Sequence, residues 1–308
     1  MPIKLQTDNY TMLSGVKMNN PDMKKWLKTL HIILFLVLFA TNAFSYEKNI
    51  KIDYCNYFLP DSSRTTVEIY LSFANTDLKF IKTDTNYIAE AEIVIILYDE
   101  GGNFIKELFS DQTIHELYYN MTVNENSGNN TLFKLKLKPG DYQLHLYFTD
   151  KISNNTTKME KGITVRSFES NSLCISDIQI ASVIKASEEK SNFVKNGKKI
   201  ITNTNRTFNS NYLYAEFYFE IYNLSVEQNN ESNSFTFCYQ ILDENNNIVT
   251  ESSNRFSKPD RTSAINFSVP TRVLETGEYQ LSIQVIDNDS KMTASGNTTF
   301  SIDKTMLA

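Results

Sequence analysis

A 14-residue segment of this chain occurs twice. The segment LKPGDYQLHLYFTD at Leu137–Asp150 returns as LETGEYQLSIQVID at Leu274–Asp287, 137 residues later and without a gap. Both copies place a glycine turn before Tyr-x-Leu and then alternate apolar with polar residues, the pattern of a strand that begins at a corner. A repeat of this kind predicts that the two halves of the chain fold alike.

Two pairs of matched residues, Gly140 with Tyr142 and Gly277 with Tyr279, predict the corner itself. In a Greek-key sandwich, a tyrosine near the start of a strand fills the end of the core, while its hydroxyl bonds to backbone a few residues upstream. We therefore expect these four residues to be structural, and we prefer this interpretation to a catalytic one.

Past residue 46, apolar residues recur with a period of two. Positions 67, 69, 71 and 73 are apolar, for example, which places Glu68 and Tyr70 on the opposite, solvent face. One buried and one wet face is typical of antiparallel sheets, and the turns at 99–103 and 243–247 are typical of hairpins. The sequence predicts an all-β protein of two tandem Ig-like or fibronectin-like antiparallel β-sandwiches.

A polar stretch at Arg166–Ser172 marks the predicted boundary between the two halves. We expect the first sandwich at 46–168, the second at 173–303 and a short tail at 304–308. Two polar insertions, 188–210 and 225–234, fall in the second half. Long connections of this kind are either functional or mobile.

The first 45 residues have the layout of a secretory signal peptide. A basic stretch begins at Met23, an apolar run covers 30–40, and small residues end at Ser45. We expect residues 1–45 to be an N-terminal extension and signal, with Met23 as the start and cleavage after Ser45. The alternative, an uncleaved anchor, needs about 20 apolar residues, and this run is shorter. The protein is then exported to the periplasm, the outer membrane or the outside, without a transmembrane segment after cleavage.

Removing residues 1–45 takes away five lysines and two aspartates, so the formal net charge falls from −6 to −9. An acidic protein is not drawn to the phosphate backbone, which excludes a general nucleic-acid-binding role. We expect the partner to be a protein, or a glycan, of the cell envelope.

The sequence predicts no catalytic, cofactor-binding or metal-binding residues. Cys55, Cys174 and Cys238 lack metal-site spacing, and a Cys174–Cys238 bridge and free thiols both remain open. His145 alternates outward on a strand without a nucleophile motif beside it. The segment Asp243–Asn247 starts like a calcium loop, but the sequence lacks the glycine and the closing glutamate, so a hairpin turn explains it better.

Aromatic residues alternate along the segment 212–222. We expect the core face to take Leu213 and the odd-numbered apolar residues after it, and the other face to carry Tyr212, Tyr214, Tyr218 and Tyr222. Exposed tyrosine is common at binding surfaces, so these four are the candidate partner-binding residues. Tyrosine also simply covers sheets, and it can equally pack against the first sandwich.

Four short stretches carry a family resemblance. They are IDYCNYF at 52–58, TVEIYLSF at 66–73, SDIQIA at 176–181 and FVKNG at 193–197. Together they resemble the N-terminal portion of bacterial GWxTD-domain proteins, over most of residues 50–303. The resemblance implies an exported protein, without implying a reaction. Members usually continue into a C-terminal Gly-Trp-x-Thr-Asp region; this chain ends at Ala308 without it, and has Thr202 and Thr204 where the family tends to have prolines.

The leading hypothesis is an exported, non-catalytic interaction or scaffold module of the cell envelope. A second is a hydrolase-related or glycan-binding protein. A polar cleft between the sandwiches with converging Asp and Glu side chains would favour this hypothesis. A third is a fragment that acts with a separate chain bearing the GWxTD region.

Overall fold

The computed structural model describes residues 49–60, 62–124, 128–169, 171–226 and 233–305. The predicted signal peptide, its start at Met23 and the last three residues lie outside these ranges. In chain order, the strands in them are β1 (Lys51–Tyr57), β2 (Thr65–Ala74), β3 (Ile81–Lys82), β4 (Tyr87–Asp99), β5 (Phe104–Glu116), β6 (Gly128–Leu137), β7 (Gly140–Asp150), β8 (Asn155–Val165), β9 (Cys174–Ile175), β10 (Gln179–Ala186), β11 (Val194–Lys195), β12 (Lys198–Thr202), β13 (Thr207–Asn209), β14 (Tyr214–Tyr222), β15 (Ser234–Leu242), β16 (Ile248–Ser257), β17 (Ser263–Pro270), β18 (Gly277–Asp287) and β19 (Thr293–Asp303).

Helices are few and short in the described ranges. One α-helical turn, α1 (Tyr119–Thr122), follows β5, and single 3-10 turns lie at Asn75–Asp77 and Thr271–Val273. The prediction of an all-β protein is confirmed.

The first half of the chain folds into two facing sheets. Sheet A has the order β1-β2-β6, and sheet B has the order β3-β4-β7-β8 with β5 on the free side of β4. Every pair in both sheets is antiparallel. The alternate residues of the two inner faces bury one core, including Ile69 and Leu71 from β2, Ile93 and Ile95 from β4, and Phe148 from β7.

The second half repeats this plan. Sheet C has the order β11-β12-β10-β14-β17, with β9 also paired to β14, and sheet D has the order β13-β19-β18-β15-β16. Pairing is antiparallel apart from β13 with β19, which run parallel. Aromatic residues fill this core, with Phe208, Phe217, Phe219, Phe235 and Phe300 each at most 1 % exposed.

The repeated segment forms the same corner in both halves. The hydroxyl of Tyr142 donates to the carbonyl of Lys138 at 2.9 Å, and that of Tyr279 donates to the carbonyl of Glu275 at 3.0 Å. Gly140 and Gly277 precede them with φ of 148° and 158°, a backbone conformation that other residues rarely adopt. Each tyrosine thus ties the start of β7 or β18 to the turn before it.

The last residue of the repeat is also used in the same way twice. Asp150 accepts hydrogen bonds from the backbone N–H groups of Ile152 and Ser153, at 3.0 and 3.4 Å. Asp287, which is fully buried, accepts from those of Asp289 and Ser290 at 3.0 and 3.1 Å. A buried carboxylate therefore fixes the turn after each repeated strand, because its charge must be met by donors.

The described residues all belong to one compact unit, so the two sandwiches are not separate bodies. Within the described residues, a small cluster of buried side chains joins the sandwiches. It contains Cys55, Tyr57 and Tyr70 from sheet A, and Ile200 and Tyr218 from sheet C.

Candidate functional site

The four tyrosines of the predicted binding surface lie in two separate places. Tyr218 and Tyr222 are buried, at 1 % and 5 % exposed, whereas Tyr214 is 50 % exposed and Tyr212 packs against the edge of the second core. Tyr214 and Tyr222 lie at opposite ends of the same strand, about 27 Å apart at the usual rise per residue. They do not make one continuous exposed face. The prediction is wrong for the buried Tyr218 and Tyr222, and it stays a prediction for Tyr212 and Tyr214.

The two buried tyrosines pack against the first sandwich. The ring of Tyr222 lies 5.2 Å from that of Phe58 and 6.4 Å from that of Phe168. Tyr218 belongs to the cluster that holds Cys55 and Tyr70 of sheet A. The sequence left open whether these tyrosines bind a partner, cover a sheet or pack against the first sandwich. Tyr218 and Tyr222 pack against the first sandwich.

Leu213 also differs from its predicted core position. It is 77 % exposed because β14, and with it the alternation, begins only at Tyr214. In β2, Glu68 and Tyr70 were expected to face water, yet they are 3 % and 2 % exposed. The second sandwich covers that face of β2.

Lys195 is the centre of the junction between the sandwiches. It lies in the β11–β12 hairpin, which turns at Asn196 and Gly197 with positive φ at both, the geometry that Asn-Gly favours. The Lys195 Nζ donates to Tyr57 Oη at 2.7 Å, to Glu68 Oε2 at 2.7 Å and to Gln179 Oε1 at 2.9 Å. All three protons of the ammonium group therefore have a partner.

Aromatic rings surround the same ammonium group. The Nζ lies 4.0 Å from the ring centre of Tyr57, 5.2 Å from that of Tyr218 and 5.9 Å from that of Tyr70. Ring faces attract a cation, and the attraction grows when water is excluded. Two of these rings come from sheet A and one from sheet C, so the ammonium group contacts both halves of the chain.

The charge on Glu68 is stabilised in this setting. Burial alone raises the pKa of a carboxyl, but the Lys195 charge and hydrogen bonds from Lys134, Lys195 and Tyr70 outweigh it and lower the pKa of Glu68. Burial raises the pKa of Tyr57 and Tyr70, so both hydroxyls stay neutral donors. Burial lowers the pKa of Lys195, and the charge and hydrogen bond of Glu68 oppose that shift, so each member of the ion pair stabilises the charge of the other.

Two further contacts cross the junction. Arg206 of the second half binds Asp53 of β1 with two parallel hydrogen bonds of 3.0 and 2.8 Å. Asp177 accepts the backbone and side-chain N–H of Asn56 at 2.8 and 2.7 Å, and also binds Arg166 at 2.7 Å. Bidentate and charge-assisted bonds of this kind fix orientation as well as distance.

The four stretches that carry the family resemblance meet at this junction. Residues 52–58 supply Asp53 and Tyr57, residues 66–73 supply Glu68, residues 176–181 supply Gln179, and residues 193–197 supply Lys195. Segments far apart in sequence thus form one buried network. In the sequence, Lys195 fell within a polar insertion, and the signal that could have revealed its hairpin is the Asn-Gly pair that follows it.

The outer face of sheet B carries an apolar strip that the sequence analysis did not identify. Paired residues give three rows across β5, β4 and β7: Phe109–Val94–Tyr147, Glu107–Ile96–His145 and Phe104–Tyr98–Gln143. Phe104 and Phe109 are 61 % and 56 % exposed. We use the name apolar strip for these residues without Glu107 and Gln143, namely Val94, Ile96, Tyr98, Phe104, Phe109, His145 and Tyr147. His145 lies on this wet face, as its alternation predicted, 5.0 Å from the ring of Tyr98.

Charged and polar groups border the apolar strip. Lys158 of β8 lies 5.4 Å over the ring of Tyr147, and Glu160 lies 3.8 Å from His145. The next row towards the end of the sheet is polar, with Asp111 paired to Glu92. An apolar centre with a charged rim is the usual layout of a surface that binds another protein.

The outer face of sheet D forms a polar groove of about 690 Å³. Its side chains are mainly uncharged hydroxyl and amide groups. Along β15, β18 and β19 they alternate with core residues, and β16 adds further lining residues. They include Gln240, Ser253, Ser282, Gln284 and Asn297, with Glu251 as the one carboxylate among the lining residues.

A second cavity, of about 510 Å³, lies beside the junction and is lined in part by Phe58, Asn196, Tyr218 and Tyr222. Its one lining carboxylate, Glu220, accepts hydrogen bonds from the hydroxyls of Tyr218 and Tyr222 at 2.7 and 2.8 Å. Both oxygens are thus already engaged.

The remaining predicted sites have simple structural explanations. Asp243 accepts the backbone N–H of Asn245 and Asn247 at 2.9 and 2.8 Å, which makes it a turn residue. Cys174 and Cys238 are free thiols, so the bridge between them is absent. Among the side chains that the structure describes, no group of three His, Cys, Asp or Glu is placed to hold a metal ion.

Comparisons with known proteins give little beyond this. No family model matches the chain, and no curated protein sequence matches it either. Among solved structures it is similar to β-glucuronidase 2 of Bacteroides uniformis, with 10 % identity and a TM-score of 0.25 over 77 % of this chain. A glycosyl hydrolase family 2 member from Bacteroides cellulosilyticus gives 9 % and 0.26 over 77 % of this chain.

The match covers 26 % of the β-glucuronidase and 28 % of the other hydrolase, so the chain spans about a quarter of their length. The chicken interferon gamma receptor alpha chain matches at 9 % identity and a TM-score of 0.21, over 83 % of this chain and 96 % of that one. Likeness at this level does not assign a function. No helix among the described residues has the length and hydropathy that a membrane span requires.

Proposed function

We propose that this chain is an exported, non-catalytic binding module of the cell envelope that docks a partner protein on the apolar strip of sheet B. The observation that supports this is the strip itself, with two phenylalanines, Phe104 and Phe109, more than half exposed on the outer face of the sheet. Soluble proteins rarely leave a contiguous apolar patch in water without a use for it.

The junction supports the same proposal. Three ionic contacts, at Lys195, Arg206 and Asp177, fix the two sandwiches in one arrangement. A binding surface held on a rigid support loses less conformational entropy when it binds. We also propose that residues 50–303 are related to exported GWxTD-domain proteins, because the four stretches that carry this resemblance meet at the junction.

A capture experiment tests the proposal. The mature protein, cross-linked in envelopes of its own cells, is compared with the variant Tyr98→Ser/Tyr147→Ser and with Tyr118→Ser. Tyr118 is 68 % exposed and lies outside the apolar strip, so it is a matched control. We expect the protein and the control to capture the same partner, and the strip variant to lose it. Equal capture by a folded strip variant overturns the proposal.

Export is tested on the same preparation. We propose that the signal peptide is cleaved after Ser45, so the N-terminal sequence of the purified envelope protein starts at Tyr46. A cytoplasmic protein that retains residues 23–45 contradicts this part.

The polar groove of sheet D supports glycan binding as a second candidate function. Amide and hydroxyl groups match the hydroxyls of a sugar, whereas the single carboxylate Glu251 falls short of the pair that a glycosidase requires. Binding of envelope polysaccharide, measured by calorimetry, then weakens in Gln240→Ala/Gln284→Ala and remains in the strip variant. If the strip variant alone loses the polysaccharide, the groove is not its site.

A further inference from the structure

Strand β5 is an unprotected edge of sheet B. It pairs with β4 from Phe104 to Glu116, with a bulge at Ile105, and none of the other described strands lies on its second side. It contains neither proline nor glycine. A long edge with free backbone N–H and C=O groups is a template for a further strand.

The side chains of β5 suit a strand of the same sequence. We propose that two copies of the protein associate through β5, as antiparallel strands related by a two-fold axis at Asp111. The axis stands perpendicular to the sheet, so each residue lies on the same face of the joined sheet in both copies. Two residues that face each other must share a face, and because side chains alternate along a strand, their numbers differ by an even count. Centred on Asp111, this register pairs Lys106 with the partner's Glu116, and Glu107 with the partner's His115.

The two Lys106–Glu116 contacts favour this register over its neighbours, and they outweigh the one like-charge contact between the two Asp111 side chains. A shift of two residues in either direction sets Asp111 opposite Phe109 or Thr113 and leaves no pair of opposite charges across the two strands. Opposite charges in directly facing positions stabilise a strand pair, and like charges destabilise it. Each contact occurs twice because of the symmetry.

The two Asp111 side chains meet at the axis, and each has its own counter-ion. Lys151 Nζ lies 3.4 Å from Asp111 Oδ1 of the same copy. Glu116 accepts a hydrogen bond from Asn75 through Oε1 at 2.6 Å, so we assign its other oxygen to the partner's Lys106.

Apolar contacts continue the first core across the axis. Leu108 and Ile114 are half-buried against that core. In this register Leu108 faces the partner's Ile114, and Ile114 faces the partner's Leu108. The two five-stranded sheets then form one sheet, with both copies of the apolar strip on the same face. The association does not depend on the proposed function, because none of the paired charges belongs to the strip.

Charge exchange tests the pairing. We expect the mature protein to sediment as a dimer, and Lys106→Glu or Glu116→Lys alone to raise the dimer dissociation constant about tenfold or more, since each places like charges at two contacts. An equimolar mixture of the two variants restores both pairs and reforms a dimer. A wild-type protein that is monomeric at every concentration, or a mixture that gains nothing, overturns the proposal.

A cross-link tests the register without the Glu116 variant, which loses its contact with Asn75. In a Cys174→Ser/Cys238→Ser background, Asp111→Cys faces its own copy and forms a disulfide dimer under mild oxidation. Thr113→Cys faces Phe109 and cross-links much more slowly. Equal rates for the two cysteines contradict the register.

Discussion

The ammonium group of Lys195 lies 2.7 Å from Glu68 Oε2, across a junction between residues 127 positions apart in the chain. Their side chains are 10 % and 4 % exposed, so the pair is shielded from water on both sides. A buried pair of this kind is costly to break, because the remaining charge stays buried without its partner.

We therefore predict that Lys195→Met destabilises the protein strongly. The expected loss in the free energy of unfolding is about 3 kcal/mol, at the lower end for a broken buried pair because Lys134 still contacts Glu68. Urea unfolding followed by circular dichroism measures this loss.

Lys199→Met is the control for that variant. Lys199 pairs with Glu189 at the surface, where water and salt screen the two charges and the pair contributes little to stability. In Lys195→Met/Glu68→Leu the uncompensated charge is removed, and we expect part of the stability to return. If Lys195→Met costs no more than Lys199→Met, the junction does not hold the sandwiches together.

The second prediction concerns the stability of the protein at low pH. Hydrogen bonds from Lys258 and backbone N–H groups outweigh the effect of burial and lower the pKa of Asp287, and the pKa of Glu68 is lowered as well. A carboxyl whose pKa is lower in the folded state stabilises the fold above its unfolded pKa of about 4, and this stabilisation is lost as pH falls through the folded pKa. Unfolding free energies measured from pH 7 to pH 3 thus decline below about pH 4.

The variant Glu68→Gln reports on one of these two carboxyls. It is less stable at neutral pH, and its decline between about pH 4 and pH 3 is smaller because one linked proton is gone. Parallel curves for variant and wild type contradict the lowered pKa of Glu68.

The third prediction concerns the two tyrosine corners. Tyr142→Phe and Tyr279→Phe each remove one hydrogen bond to a backbone carbonyl and cost about 1 kcal/mol. Tyr214→Phe, on a half-exposed side chain, changes stability by less than about 0.5 kcal/mol. The two costs add, since the corners lie in different cores, and clear non-additivity speaks against independent corners.

These corners show how much of the fold the sequence could predict. Alternation along strands such as β2 is local, and the Gly-x-Tyr turn lies within a few residues, so fold class and corners follow from short patterns. The junction depends on pairings such as Lys195 with Glu68, which no local pattern contains. Alternation correctly placed Glu68 away from the core of its own sandwich, but it cannot show that a second sandwich covers that face.

The same reason explains the candidate binding residues. Tyr218 and Tyr222 do lie opposite the core face of β14, and only the approach of the first sandwich buries them. The apolar strip was missed because its members come from β4, β5 and β7, and each strand contributes only two or three of them.

The fourth prediction concerns the thiols. Burial raises the pKa of Cys55 well above its ordinary value and that of Cys174 to about 11, so both react slowly with a thiol reagent in the native state. Cys238, on the outer face of sheet D, reacts first. All three thiols become reactive in denaturant without a reducing agent, because none is bridged. Recovery of only one thiol points instead to a Cys174–Cys238 bridge.

The most direct test of a single unit built from two sandwiches is differential scanning calorimetry of the mature protein. We predict one cooperative transition whose calorimetric and van't Hoff enthalpies agree, and a split into two transitions in Lys195→Met. Two separate transitions in the wild-type protein, unaffected by Lys195→Met, contradict this account.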